Sequence, residues 1–138
     1  MEKRDVAIAL LYNDKGQILL QHRAADARRN PSKWAIFGGG IDDGETPEQA
    51  VRRELKEELE YHLENFVLVH TQVLTGEQDR VGTKYVYVAK YDPMQLLVQH
   101  EGQAYGWFTP DEIWKLDTIS HDAEVLQAGI EYIGKQRN

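Results

Sequence analysis

Apolar runs separated by short turns fill the first forty residues, and this pattern is typical of strands. The apolar stretch from Val6 to Tyr12 predicts a buried strand. Residues 17–22 predict the returning strand of a hairpin, because the turn Asn13-Asp14-Lys15-Gly16 separates the two runs. Residues 23–33 predict a loop rich in arginine, and residues 34–37 a short strand that leads into three glycines.

The polar stretch after the glycines predicts a helix that starts cleanly. Thr46 is a suitable N-cap, Pro47 suits the first helical position, and Gln49 completes a capping box. Apolar residues then recur every four positions and predict one buried stripe: Val51, Leu55 and Leu59.

The second half of the chain predicts further strands and two more helices. The strands are expected at residues 66–75, 84–91 and Ala104–Phe108, the helices after Thr109 and from Ser120 onward. A loop, GEQDRVG, separates the first two of these strands. Strands on both sides of a central helix predict a mixed sheet covered by helices, an α/β or α+β sandwich. The length of 138 residues predicts one domain, 1–138.

Charge and composition narrow the classes of function. The net charge of −7 argues against binding to polymeric nucleic acid, which usually needs a basic face. It does not exclude an anionic small molecule, because a bound divalent ion can invert the local sign of charge. The absence of cysteine excludes disulfides and thiolate chemistry. With no stretch suited to a signal peptide or a membrane span, the sequence predicts a cytoplasmic protein.

Three glutamates on the central helix are the clearest candidates for chemistry. Glu54, Glu57 and Glu58 stand at i, i+3 and i+4, so their side chains converge on one face beside the buried stripe. Converging carboxylates repel one another unless they are protonated or bridged, and oxygen-only ligands suit a hard cation such as Mg²⁺ or Mn²⁺. The alternative is a solvated acidic face with ion pairs to Arg53 and Lys56.

The full spacing of these residues resembles the signature of the Nudix hydrolases. The residues that match its fixed identities are Gly39, Glu45, Arg53, Glu54, Glu57 and Glu58, and the apolar Leu55 follows Glu54. Six of the seven fixed identities match, and Glu60 stands where the signature has its last glycine. Six matches by chance come to roughly one in a million per register at average residue usage. The missing glycine is expected to change how the helix ends, because glycine usually serves there as a left-handed cap.

Three flanking segments resemble the antimutator, MutT-like subgroup, which cleaves oxidised dGTP. They are RAADA (23–27), GETPEQAV (44–51) and EGQ (101–103). Two positions depart from that subgroup: Phe37 replaces the usual proline before the glycines, and TISHDAEV (118–125) lies where an asparagine reads the oxidised purine. The resemblance therefore implies the α/β/α Nudix sandwich more firmly than it implies which nucleobase the substrate carries.

The resemblance also implies roles for individual residues. The metal ligands would be the four carboxylates and one backbone carbonyl: Glu54, Glu57, Glu58, Glu101 and Gly38. Glu101 is also the candidate for orienting or deprotonating the attacking water, with an exposed loop acid as its alternative. Glu45 and Arg53 belong to the catalytic set as an ion pair that braces the loop against the helix. Substrate would meet Gly39, Arg23 and Arg80, and each arginine has solvated surface as its alternative.

For four further residues, the sequence leaves two roles open. His121 either contacts a base or belongs to the turn that starts the last helix. Trp34, Tyr85 and Trp107 either stack on a base or pack in the core, and packing is the commoner role of aromatics on strands.

The leading hypothesis is a Mg²⁺-dependent hydrolase, with Mn²⁺ as a substitute, that cleaves a nucleoside triphosphate to the monophosphate and pyrophosphate. A second hypothesis keeps the chemistry and takes ADP-ribose or a nucleotide sugar. A third, from another class, is a catalytically silent nucleotide-binding module, and the last is an acidic interaction protein. The expected partner is a small nucleotide, without a membrane, and a homodimer is left open.

Overall fold

A computed structural model describes residues 2–76 and 79–137 of the chain. Within them lie eight strands and three α-helices. The strands are β1 (Glu2–Lys3), β2 (Val6–Tyr12), β3 (Ile18–His22), β4 (Trp34–Ala35), β5 (Phe37–Gly40), β6 (Val67–Thr75), β7 (Arg80–Lys90) and β8 (Ala104–Phe108). The helices are α1 (Pro47–Leu59), α2 (Pro110–Ile113) and α3 (Ala123–Arg137), and a 3₁₀ turn spans Ser120–Asp122.

All of these strands join one mixed sheet around β2. Strand β2 pairs in parallel with β7 and antiparallel with β3 and β5. β6 is added antiparallel to β7, and β8 and β4 pair with β3. The register places Ile8 opposite Gly38 and Ala7 opposite Gly39, so the glycines lie beside the centre of the sheet.

The two faces of the sheet carry two cores, because successive side chains of a strand point to opposite sides. Val6, Ile8 and Leu10 pack under α3, in a cluster with Val125 and Leu126. The alternate residues of β2 pack under α1: Ala7, Ala9 and Leu11. A strand covered on both faces is apolar throughout, which explains the unbroken run in the sequence. The predicted α/β/α sandwich with a central mixed sheet is confirmed.

Helix α1 follows from its local sequence. The side chain of Thr46 accepts a hydrogen bond from the backbone N–H of Gln49, and the side-chain oxygen of Gln49 accepts one from the N–H of Thr46, so the capping box is complete. The predicted stripe is buried: Val51, Leu55 and Leu59. The helix ends at Glu60, which has φ 54° and ψ 32°, the left-handed conformation that glycine adopts at such an end.

Some boundaries differ from the sequence prediction for reasons of long-range pairing. β7 begins at Arg80 and not at Lys84, because β1 pairs in parallel with Arg80 and Val81. The expected loop GEQDRVG is correspondingly shorter, and its Glu77 and Gln78 lie outside the described residues. The last helix begins at Ala123, after the 3₁₀ turn that starts at Ser120. No described helix, within 2–76 and 79–137, has both the length and the apolar character that a bilayer crossing requires.

Candidate active site

Strand β5, which carries the three glycines, lies in close contact with strand β2 and with helix α1. Gly38 has φ 141°, and a Cβ there would collide with the carbonyl oxygen of Ala7. A Cβ on Gly39 would stand 2.6–2.8 Å from the carboxylate atoms of Glu54. Helix α1 can therefore bring its carboxylates against the strand only because the strand has no side chains there.

The carboxylates of Glu54, Glu58 and Glu101 form a partly buried cluster beside Gly38. Glu58 is 3% exposed, and the backbone N–H of Gly38 donates to its Oε1 at 3.0 Å. Burial raises the pKa of Glu58 well above its ordinary value, and a hydrogen bond to Glu101 and the charges of Glu101 and Glu54 raise it further. Burial also raises the pKa of Glu54. Carboxyls this close repel one another when all of them are ionised.

Arg53 holds the loop before α1 against the helix. Its Nε and Nη2 donate to the two oxygens of Glu45 at 2.8 and 2.9 Å, and Nη2 also donates to the carbonyl of Gly40 at 2.9 Å. The hydrogen bonds from Arg53 lower the pKa of Glu45 to about 2. Glu45 and Arg53 therefore lie together as the ion pair expected from the sequence.

Glu57 stands apart from the cluster. Its side chain is 59% exposed and lies 3.4 Å from Nη1 of Arg53, which also donates to Glu54 at 2.9 Å. Among the residues that the structure describes, no group of three histidine or carboxylate side chains has the spacing of an assembled metal site. Glu57 is held outward by its contact with Arg53, away from Glu54 and Glu58.

The donor set nevertheless fits a hard divalent cation. All its side-chain ligands would be carboxylate oxygens, which suit Mg²⁺ or Mn²⁺. A bound cation would relieve the repulsion among these carboxylates. The change required is a rotation of Glu57 away from Arg53, and its exposed position leaves room for that rotation.

A cavity of about 270 Å³ opens on the other face of the same glycine strand. Five cationic side chains line it: Arg23, Arg28, Arg29, Arg80 and Lys84. Burial lowers the pKa of Arg80, and the charge of Arg29 lowers it further. Cations that repel one another in a cavity favour an anionic ligand there.

Of the predicted substrate residues, Arg23, Arg80 and Gly39 all line this cavity. Nε of Arg23 donates to the carbonyl of Arg29 at 3.0 Å, and Arg80 lies 3.8 Å from Glu2. His121 also lines the cavity, within the 3₁₀ turn, and its carbonyl accepts a hydrogen bond from Gln72.

The aromatic residues that the sequence assigns either to base stacking or to the core pack against the two cores. Trp34 stacks on His22 at 4.7 Å and meets Phe108 edge-on at 4.9 Å. Tyr85 and Trp107 pack against the cluster under α1.

Sequence reasoning missed one buried ion pair. Nζ of Lys84 donates to Oδ1 of Asp122 at 2.7 Å, and their side chains are 9% and 6% exposed. Both residues line the cavity. The signal that could have found Lys84 was its charge directly before the apolar run at residues 85–89, since a lysine buried at such a place needs a partner.

Comparison with known proteins agrees with this arrangement. The NUDIX domain family matches residues 1–128. The nucleoside triphosphatase NudI of Escherichia coli K12 is 31% identical over 131 residues, which cover 85% of this chain and 89% of that protein. The chain therefore belongs to the Nudix family and is related to the NudI nucleoside triphosphatases.

Solved structures share the fold. A MutT Nudix hydrolase from Burkholderia pseudomallei is 25% identical and superposes with a TM-score of 0.78, covering 94% of this chain and 98% of that one. The MutT protein of Methanosarcina mazei Go1 has a TM-score of 0.80 at 18% identity, covering 99% and 96% of the two chains. The expected resemblance to MutT-like Nudix hydrolases is confirmed, and the protein is a hydrolase of phosphoric anhydride bonds.

Proposed function

We propose that this protein is a Mg²⁺-dependent pyrophosphohydrolase that cleaves a nucleoside triphosphate to the monophosphate and pyrophosphate. One observation carries the proposal: the carboxylate cluster and the cationic cavity meet at the same glycine strand, Phe37–Gly40. A triphosphate needs both, because its phosphates carry several negative charges and its hydrolysis needs a metal ion. The relation to NudI, named as a nucleoside triphosphatase, supports this substrate class.

In this proposal Glu54, Glu57, Glu58 and Glu101, with the carbonyl of Gly38, would hold the metal. When bound, Mg²⁺ would act as a Lewis acid on the phosphoryl oxygens and orient the substrate. Glu101 is the candidate for accepting the proton of the attacking water. Its side chain is exposed to solvent while it contacts Glu58, so it reaches both the water and the cluster.

The cationic cavity would bind and orient the nucleotide. Arg23 and Arg80 line the same cavity as the glycine backbone, where they can pair with phosphate oxygens. Arg53 and Glu45 do not line this cavity and act by fixing the loop, as their contacts to Gly40 and to each other support. Gly39 contributes by leaving space, since any side chain there would meet Glu54.

The test is product analysis on a panel of substrates with Mg²⁺. The panel contains dNTPs, NTPs, oxidised dGTP, ADP-ribose and a nucleotide sugar. We expect monophosphate and pyrophosphate from a triphosphate, and a loss of at least about 100-fold in kcat/KM for Glu57→Gln, about 2.7 kcal/mol of transition-state stabilisation. Glu64→Gln, an exposed glutamate outside the cluster, is the matched control and should retain full activity.

Other outcomes would replace the proposal. Cleavage of ADP-ribose or of the sugar alone would keep the chemistry and change the substrate class. Nucleotide binding without hydrolysis, unaffected by Glu57→Gln, would identify a silent binding module.

A further inference from the structure

Glu60 departs from the family signature in both identity and geometry. It stands where the signature has glycine, yet it adopts φ 54° and ψ 32°. A residue with a Cβ is disfavoured in this left-handed conformation. A glutamate that occupies it should therefore have a compensating contact.

That contact is with His100. Nε2 of His100 and Oε2 of Glu60 are joined by a hydrogen bond of 2.6 Å. The two side chains are 50% and 54% exposed, and exposed pairs of this kind add little to folding stability. Stability alone therefore does not explain the pair.

The backbone contacts of His100 indicate a different role for the pair of Glu60 and His100. Its backbone N–H donates to the carbonyl of Glu58 at 2.9 Å, and that of Val98 donates to Leu59 at 3.0 Å. Residues 98–100 thus run along the end of α1. Glu101 follows at once, and its carboxyl meets that of Glu58.

On the far side of Glu101 lies a glycine in the left-handed region. Gly102 has φ 80°, a conformation that glycine adopts freely. The carbonyl of Glu101 itself accepts a hydrogen bond from the side chain of Gln99 at 2.6 Å, and the N–H of Gln103 donates to the carbonyl of His22 at 2.7 Å. Of these attachments, the one at His100 joins the segment directly to the end of α1, beside Glu58.

We propose that Glu60 and His100 are positioning residues for Glu101. Their contact fixes the chain one residue before Glu101 and so holds its carboxyl against Glu58, within the metal-binding cluster. The inference rests on the proposed function, because it assumes that Glu101 is a metal ligand.

The experiment measures binding of Mn²⁺ alone by the loss of its free EPR signal, alongside kcat, KM and the unfolding temperature. The variants are Glu60→Gly, His100→Ala, His100→Gln and the double variant Glu60→Gly/His100→Ala. His70→Ala is the matched control, because His70 and Glu124 form a histidine–glutamate pair of the same 2.6 Å length away from the cluster. Glu101→Gln calibrates the effect of losing the ligand itself.

We expect Glu60→Gly and His100→Ala each to weaken Mn²⁺ binding by about 10-fold, in the range found for groups that orient metal ligands. The double variant should lose no more than the larger single variant, because both act through one contact. His100→Gln, which keeps a donor, should recover part of the affinity. Glu60→Gly should unfold at the same or a higher temperature, since the strain is gone.

Wild-type Mn²⁺ affinity in Glu60→Gly and His100→Ala would overturn the inference. Additive losses in the double variant, an equal loss in His70→Ala, or wild-type affinity in Glu101→Gln would also overturn it. If the wild-type protein itself neither bound Mn²⁺ nor hydrolysed a nucleotide, the proposed function would fail and this inference with it. Binding and hydrolysis by the wild type, matched by the variants, would reject this inference alone.

Discussion

The two faces of the sheet bury charge in opposite ways. On the α1 face, the carboxyls of Glu54 and Glu58 are brought together, and burial is the main cause that raises the pKa of each. On the α3 face, Lys84 and Asp122 line the cavity and form an ion pair at 2.7 Å. The first arrangement is costly until a proton or a cation joins it, whereas the second satisfies itself.

This difference shows that the net charge of the whole chain does not predict the charge of an individual site. The chain carries a net charge of −7, yet the cavity beside its glycine strand is cationic. The two charge patterns are separated by one strand of glycines, so a phosphate chain at that strand would meet both. Removing charge on each face should therefore have different consequences, one for stability and the other for activity.

The largest expected effect is on the α3 face. Asp122→Ala leaves the ammonium of Lys84 buried without its partner, so we expect a loss of about 3–5 kcal/mol in the free energy of unfolding. Asp117→Ala is the matched control, because Lys33 and Asp117 also lie 2.7 Å apart but are 38% and 69% exposed. The control should lose less than about 1 kcal/mol. Urea unfolding measures both, and equal losses would show that burial does not distinguish the two pairs.

The second effect separates activity from stability on the α1 face. Glu58→Gln resembles the protonated carboxyl of the metal-free protein, so the fold should persist. Catalysis should fall by at least about 100-fold in kcat/KM, about 2.7 kcal/mol, because a metal ligand is lost. Full activity in Glu58→Gln would remove Glu58 from the metal site.

The pH dependence of stability follows from the raised pKa of Glu58. Above pH 4.5, the ordinary value, the folded protein binds more protons at this site than the unfolded chain does. The stabilising contribution is therefore fully present below pH 4.5 and is lost as the pH rises. With EDTA present, we expect wild-type stability to fall more steeply from pH 5 to about 9 than that of Glu58→Gln. Parallel curves for the two proteins would contradict the buried, protonated state of Glu58.

The contrast between the faces also explains what the sequence could predict. Glu54, Glu57 and Glu58 lie within one helix, so their spacing alone predicts a shared face. The cap at Thr46 and the stripe of α1 are equally local, and both are present. The contact between Arg53 and Glu57 is equally local, at i and i+4, and it belongs to the solvated acidic face that the sequence offers as the alternative to a metal site.

The cavity could not be predicted in the same way. Its lining comes from the loop after β3, from β5, from β7 and from the 3₁₀ turn. Only the register of β2 against β7 brings Lys84 near this site, and only the packing of α3 brings Asp122 to it. The early start of β7 at Arg80 has the same origin. It depends on pairing with β1, which lies far from β7 in the sequence.

The smallest effect tests the boundary between the two faces. Gly39→Ala places a methyl group 2.6 Å from the carboxyl carbon of Glu54, and the end of that flexible side chain must shift. Gly39 is not in the left-handed region, so the backbone should tolerate alanine with a change below about 1 kcal/mol. We expect kcat/KM to fall about 10-fold, about 1.4 kcal/mol, because Glu54 leaves its place in the cluster. Gly134→Ala, where a Cβ meets nothing within 4 Å, is the control and should be fully active. A fully active Gly39→Ala would show that the close approach of α1 to the glycine strand serves packing and not the carboxylate cluster.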